Sequence, residues 1–374
     1  MQEVSLILLA AGNSSRLNLP TKKQWLYIED RPLWQFVAQS FEKIYDFKEI
    51  IIVGNQKELE LMSSFADYIF VAGSQISRQE SLANALKAAT AEYVMVSDVA
   101  RACIDANTIL KLINKKEPKS CIVPAIKVSD TTYYDGKPID REKLLRVQTP
   151  QVSHKDSLIE ILQNSQSFSD ESSAFYAANK RVIFVDGSSQ ATKITYKSDL
   201  AMLSCLKPPS NLPKVGYGID THPFEENKPM VLNGVEIESS FGFKAHSDGD
   251  VAIHSLIDAL LGASGLGDIG ELFPDTDSKY KNANSKELLQ EVVSLVKGVG
   301  YEIVNIDMTI VAQTPKISPY KKRMKEMLSN ILNIEPNRVN IKATTSEKLG
   351  FIGREEGVTV HTVATINYYN WRVK

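Results

Sequence analysis

Cysteine and histidine are scarce in this chain, and charge of neither sign prevails. The three cysteines among 374 residues, Cys103, Cys121 and Cys205, lie far apart, which argues against a thiolate metal site and against a disulfide framework. Such thiols fit a reducing cytoplasm, the location we expect. Lys and Arg number 43 against 45 Asp and Glu, so a net charge of -2 offers no broad basic field for a nucleic-acid backbone. Anionic ligands must therefore be met by local cations. The early apolar run from Val4 to Ala11 has no basic flank and is far shorter than the ~20 residues that span a bilayer, so we read it as a buried strand and expect no membrane association.

What is present reads as two domains, because 374 residues exceed the usual size of one. Apolar runs at Val4–Leu9, Ile50–Val53, Tyr68–Ala72, Tyr93–Ser97 and Cys121–Pro124 alternate with amphipathic stretches such as Pro32–Lys43 and Glu80–Ala89. That rhythm predicts an α/β fold with a doubly wound, largely parallel sheet. Ligands of such sheets sit beyond the carboxyl ends of the strands, where Ala10–Leu17 and Asp98–Arg101 fall. Three prolines in Lys207–Pro213 suit neither helix nor strand and mark a boundary. We therefore expect domains at 1–207 and 214–374 joined by a linker at 208–213. In the second, strands are expected at Val215–Ile219, Asn305–Ala312 and Val339–Thr344, with helices at Val251–Leu261 and Ser285–Val296.

The first strand runs into Ala10-Ala11-Gly12-Asn13-Ser14-Ser15-Arg16-Leu17, followed by Lys22-Lys23-Gln24-Trp25. Small residues let a backbone approach a nucleotide, and Arg16 and Lys23 could meet its phosphates. Together with Asp98-Val99-Ala100-Arg101, Arg141, Thr149-Pro150-Gln151 and Thr192-Lys193-Ile194-Thr195, this set resembles the 2-C-methyl-D-erythritol 4-phosphate cytidylyltransferases over about the first 200 residues. The resemblance implies a Rossmann-like nucleotidyltransferase domain whose Ala10, Ala11 and Gly12 loop holds CTP while Arg16, Lys23 and Lys193 stabilise its phosphates. It further implies Mg²⁺ (or Mn²⁺) on Asp98, cytosine contacts from Arg78 and Ser81, and methylerythritol phosphate gripped by Arg101, Thr131 and Arg141. The nucleophile is already an anion, so such a site needs positioning and charge neutralisation more than a base. The chain departs from the family in having Ser14 in place of a second glycine, Val99 and Ala102 in place of alanine and proline, and a longer Gly73–Ser81 segment. A transferase for another sugar phosphate and a non-catalytic scaffold stay open as alternatives.

Of only five histidines, His222, His246 and His254 cluster with Asp220, Asp248, Asp250 and Asp258. Asp220 and His222, two apart at a strand end, share a face, and His254 flanks the apolar stripe Ile253, Leu256, Ile257 and Leu260 of a helix that Gly262 ends. Two histidines and a carboxylate with one position open form a catalytic zinc pattern. The alternative makes them turn and helix residues only. Asp248 and Asp250 read as cap and first-turn carboxylates of that helix.

Asp220-Thr221-His222, Ala245–Asp250, Leu266–Gly270, Leu272–Asp277 and Ala343–Phe351 together resemble the 2-C-methyl-D-erythritol 2,4-cyclodiphosphate synthases over residues 214–370. The resemblance implies an α+β domain with Zn²⁺ on Asp220, His222 and His254, and a second divalent ion on Glu347. His246 and Ser247 would hold substrate phosphate, Asp268 and Gly270 the ribose, Asp275 the erythritol hydroxyls, with Arg354 also on substrate. Ala312, Lys316, Ile317, Thr344 and Thr345 would bind cytidine from a neighbouring subunit, implying a homotrimer. With a dimeric transferase, a hexamer is the simplest assembly. The cytidine diphosphate derivative of methylerythritol phosphate would be cyclised as its 2-phosphate attacks the β-phosphorus and CMP leaves. Without the family, hydrolysis stays open. A kinase must act between the two reactions, and the sequence does not say whether it docks here.

Overall fold

The computed structural model describes residues 3–163, 167–245, 248–274, 276–280 and 283–373. The chain divides into two compact units, Met1–Pro208 with Trp371–Lys374, and Pro209–Asn370. The last residues, read from sequence as part of the second domain, group with the first, where the buried Trp371 indole donates to the Tyr27 carbonyl at 2.8 Å. No described helix is long and apolar enough to cross a membrane.

The first unit is built on one sheet of β1 (Val4–Leu9), β2 (Ile50–Gly54), β3 (Ile69–Ala72), β4 (Tyr93–Asp98), β5 (Ser120–Lys127), β6 (Leu145–Val147), β7 (Gln151–His154) and β8 (Arg181–Asp186). The order is β6-β5-β7-β4-β1-β2-β3, with β8 also pairing β5. β1 lies parallel between β2 and β4, and Leu6, Ile7 and Leu8 are fully buried, as a strand covered on both faces requires. Register sets Leu9 beside both Val53 and Asp98, so the loop after β1 and the end of β4 open at the same edge. Helix α1 (Leu33–Glu42) buries Leu33, Trp34, Val37, Ala38 and Phe41, and α2 (Arg78–Leu86) starts on the Ser77 hydroxyl, which accepts from the Glu80 amide.

One expectation fails here. Cys103 and Cys205 are joined in a disulfide with Cα atoms 5.6 Å apart, leaving Cys121 buried and free. A separation of 102 residues hid the pair, and the fold brings the two ends together where the Ile194 amide bonds the Ala100 carbonyl at 2.8 Å.

The second unit carries the strands β9 (Lys214–Glu226), β10 (Phe241–Phe243), β11 (Tyr301–Val311), β12 (Val339–Thr344) and β13 (Gly357–Tyr368) in the order β10-β9-β13-β11-β12. Helices α3 (Val251–Ser264), α4 (Ser285–Gly298) and α5 (Lys321–Leu332) pack on it. α3 lies close on β9 because Gly216 and Gly218 have no side chain: a Cβ there would sit 2.0 Å from the Ala259 and Ser255 carbonyl oxygens. On the other face of β9, Val215, Tyr217 and Ile219 are 64%, 58% and 50% exposed.

β9 continues well past Ile219, so Asp220 and His222 lie within the strand and not at its end. Their polarity suggests a turn, yet the ladder to β13 pairs Asp220 with Val360 and His222 with Val358. α3 likewise runs through Gly262 to Ser264, and the left-handed residue that closes it is Gly265, at φ 71°. The central strand β13 was not anticipated.

Candidate active sites

In the first unit a cavity of about 600 Å³ opens at the strand ends, lined by Ala10, Ala11, Gly12, Arg16, Lys23, Arg78, Ser81, Asp98 and Lys193. Nine sequence-predicted residues thus meet in one place. Lys193 Nζ pairs Asp98 Oδ2 at 2.5 Å, and Arg78 Nε reaches Asp98 Oδ1 at 3.3 Å. Burial would raise the Asp98 pKa, but Arg78 and Lys193 outweigh it and hold the carboxyl below its usual range. Lys23 is pushed down to about 8, first by burial and then by Lys193 and Arg16. The cavity is therefore a concentration of positive charge suited to a polyphosphate.

Several supporting residues escaped sequence reasoning. Glu171, only 1% exposed, accepts from Arg78 Nη1 at 2.8 Å and so aims that guanidinium at Asp98. Buried Glu58 accepts from the Trp25 indole at 2.7 Å and also pairs Lys22, fixing the turn that carries Lys23. No local pattern marks either, since their partners are distant in sequence. Thr149 Oγ1 accepts from the Asp98 amide at 3.3 Å, and Gln151 donates to Asp170 at 2.9 Å while accepting from the Ser172 amide at 2.8 Å. The Thr149-Pro150-Gln151 segment, which includes a cis Thr149–Pro150 peptide, thus anchors the site from beneath.

Ser81 uses its hydroxyl locally, accepting from the Ser74 amide at 2.9 Å and donating to the Ser77 carbonyl at 3.0 Å. Arg101 does not line the cavity: its Nη1 donates to the Ala191 carbonyl at 2.6 Å. Thr131 and Arg141 do not line it either, and both are exposed on a segment that also exposes Tyr133, Tyr134 and Leu145.

In the second unit the close packing of α3 on β9 brings His254 to Asp220 and His222. Asp220 Oδ2 lies 3.0 Å from His222 Nε2 and 3.3 Å from His254 Nδ1, and one ligand atom from each residue lies within 4.8 Å of the others. The His222 Nδ1 proton goes to the Gly249 carbonyl at 3.0 Å, since a carbonyl only accepts. Buried Asp220 Oδ2 has no hydrogen-bond partner among the described residues. An orphaned carboxylate oxygen between two ring nitrogens is a donor set that fits a divalent metal.

Asp250 caps α3 as expected, accepting from the Ile253 amide at 3.1 Å, and also takes the Asn233 and Gly234 amides. Asp248 bonds no amide inside α3 among the described residues and accepts only the Asp250 amide just before it, at 3.3 Å. It also accepts the amide of Ser285 at 3.0 Å and the Ser285 hydroxyl, which ties it to the start of α4, a link that sequence spacing could not reveal. Asp268 caps the short helix Ile269–Leu272 that carries Gly270, whose first amide donates to Asp258 at 2.9 Å. His246, Ser247 and Asp275 lie outside the described residues.

Of the remaining predicted residues, Ala312 and Thr344 meet where β11 and β12 end, with Val311 paired to Thr344 and the Ala312 amide donating to the Thr344 carbonyl at 3.0 Å, while Lys316 and Ile317 follow in the segment after β11 and Thr345 comes just after β12. Glu347 accepts from the Thr345 hydroxyl at 2.7 Å, and exposed Arg354 pairs Glu356 at 2.8 Å. Register links Asp220 to Val360, Val360 to Ile310 and Ile310 to Ala343, a single row across the sheet. At ~4.8 Å per strand the metal trio stands ~14 Å from the β12 cluster within one chain.

Comparisons with known proteins agree with the two activities expected of the chain. The family model for 2-C-methyl-D-erythritol 4-phosphate cytidylyltransferase matches residues 4–206, and that for the YgbB family matches residues 213–367. A protein of Sulfurovum sp. (strain NBC37-1) described as bifunctional enzyme IspD/IspF is 53% identical over 374 residues, covering 100% of both chains. One of the same description from Campylobacter curvus (strain 525.92) is 50% identical over 372 residues, 99% of this chain and 100% of that protein. The solved structure of the bifunctional IspDF from Campylobacter jejuni matches with a TM-score of 0.91 and 45% identity, covering 99% of each chain. Matched so along its whole length, the chain belongs to the bifunctional IspD/IspF enzymes of isoprenoid-precursor biosynthesis, which join a cytidylyltransferase to a cyclodiphosphate synthase.

Proposed function

We propose that the first unit transfers CMP from CTP to 2-C-methyl-D-erythritol 4-phosphate through Arg16, Lys23 and Lys193. What carries this reading is their convergence with Asp98 on one cavity. The three cations neutralise the triphosphate while the methylerythritol phosphate oxygen attacks the α-phosphorus in line and pyrophosphate leaves. Both Asp98 oxygens are engaged by Arg78 and Lys193, so Asp98 would hold magnesium jointly with CTP phosphates, the usual arrangement for that ion. Magnesium would there neutralise phosphate charge. Arg101, Thr131 and Arg141 would grip the acceptor, the latter two carried by their exposed segment to a second copy in a transferase dimer.

The second unit would bind zinc through Asp220, His222 and His254, supported by the orphaned Asp220 oxygen. When bound there, zinc would supply Lewis-acid polarisation of a phosphate oxygen. The Ala312, Lys316, Ile317, Thr344 and Thr345 cluster would take cytidine, and Glu347 with the substrate diphosphate would hold a second ion. The ~14 Å between trio and cluster, with the exposed Val215, Tyr217 and Ile219 face, supports sites completed between protomers of a trimer. A hexamer would then satisfy trimer and dimer together. CTP as substrate favours action in the cytoplasm. Assay of the purified chain for pyrophosphate release from CTP and for CMP release with the cyclic diphosphate tests the reading. Absence of either product removes that half of it.

A further inference from the structure

The two histidines of the trio face it through different nitrogens, His222 through Nε2 and His254 through Nδ1. A neutral imidazole can offer a lone pair from one nitrogen only when its proton sits on the other. For His222 the Gly249 carbonyl secures this. For His254 the outer nitrogen, Nε2, meets Ser285 Oγ at 3.0 Å, and a hydroxyl can either donate or accept.

Asp248 settles the direction. Its Oδ1 is hydrogen-bonded to Ser285 Oγ, and its Oδ2 takes the Ser285 amide at 3.0 Å. A carboxylate only accepts, so the single hydroxyl proton of Ser285 points to Asp248 and leaves Oγ to accept from His254 Nε2–H. Ser285 is 0% exposed, which keeps bulk water from competing. The hydroxyl is not needed to start α4, because the Asn284 side chain already accepts from the Lys286 amide at 3.0 Å.

We propose that Asp248 and Ser285 are positioning residues for the cyclase, holding His254 as the Nε2–H tautomer so that Nδ1 is presented to the metal. The proposal rests on the reading of Asp220, His222 and His254 as the zinc site. Partners of this kind raise metal affinity by orienting the ring and fixing its proton, and their loss weakens binding by about 10–100-fold. Ser285→Ala removes the hydroxyl and leaves the Asp248–amide bond intact. Asp248→Asn can donate to Oγ, turning the hydroxyl proton toward His254 and favouring the wrong tautomer.

The test is zinc affinity of the full chain, measured by competition with a chelating indicator and zinc alone, beside the melting temperature of the zinc-free chain. Both variants should bind zinc about 10–100-fold more weakly than the parent, with the zinc-free melting temperature little changed in Ser285→Ala and lowered in Asp248→Asn, whose amide group faces the Asp250 amide. Parental affinity in Ser285→Ala would overturn the proposal. A parent chain that takes up no stoichiometric zinc would instead overturn the metal reading beneath it. Should a variant not fold, nitrogen NMR of the zinc-loaded parent decides: a proton on His254 Nε2 upholds the proposal, and zinc on Nε2 overturns it.

Discussion

Ser14 holds a left-handed backbone at φ 58°, and its hydroxyl accepts the Lys23 amide at 2.8 Å. The conformation is one that glycine adopts without penalty. The hydroxyl gives this chain something that glycine lacks, a direct link from the phosphate loop to the turn carrying Lys23. We expect Ser14→Gly to gain roughly 1 kcal/mol from relieved backbone strain and to lose about as much from the missing hydrogen bond, leaving stability nearly unchanged. The KM for CTP should nonetheless rise as Lys23 loosens. Unchanged steady-state kinetics would show that the link is idle.

Lys23 and Arg16 meet charge that develops on the phosphates. Replacing either with alanine should lower transferase kcat by about 10²–10³ and leave cyclase turnover intact. Parental transferase rates in both variants would remove them from the site.

The pKa of Lys23, pushed down to about 8, predicts a pH signature. Activity that needs its charge is full below that value and falls as pH rises through it, visible in kcat/KM for CTP, which reports the free enzyme. Lys23→Arg should abolish the fall. Stability moves the other way. Between about 8 and 10.5 the unfolded chain holds the Lys23 proton more tightly, so the contribution of this group to stability rises with pH. Alkaline loss of activity without loss of structure is therefore the expected pattern.

The uncovered face of β9 offers a test of assembly. Val215 is 64% exposed and lies five residues before Asp220 in β9, on the opposite face of the strand, so Val215→Asp should leave the fold intact. Buried at a subunit contact, the unpaired charge would cost about 3–5 kcal/mol, enough to break a trimer. Analytical ultracentrifugation should show species smaller than the parent, with cyclase activity lost and transferase retained. An unchanged sedimentation profile would take this face out of the interface.

The residues that converge on the cavity and in the Asp220 trio were largely legible in the sequence, because Arg16, Lys23 and Lys193 stand outside the strands and Asp98 ends one, while His222 and His254 belong to a cluster unusual for so rare a residue. What supports them was not. Glu171, Glu58 and Ser285 act across 93, 36 and 37 residues on Arg78, Lys22 and Asp248, and nothing local distinguishes a buried carboxylate or serine from an exposed one. The Cys103–Cys205 bridge was missed for the same reason. β13 escaped because its polar alternate positions dilute the apolar signal, although its burial alternates along most of its length.

The central claim is that Asp220, His222 and His254 form a catalytic zinc site in a chain whose other half works independently. The most direct measurement is the zinc content of purified His254→Ala, taken with both activities. His254 sits on the flank of α3 outside the buried stripe, so alanine should be tolerated there. One zinc per protomer is expected in the parent and almost none in the variant, with cyclase activity lost and transferase activity at the parental rate. Stoichiometric zinc in the variant with continued formation of the cyclic diphosphate would contradict it.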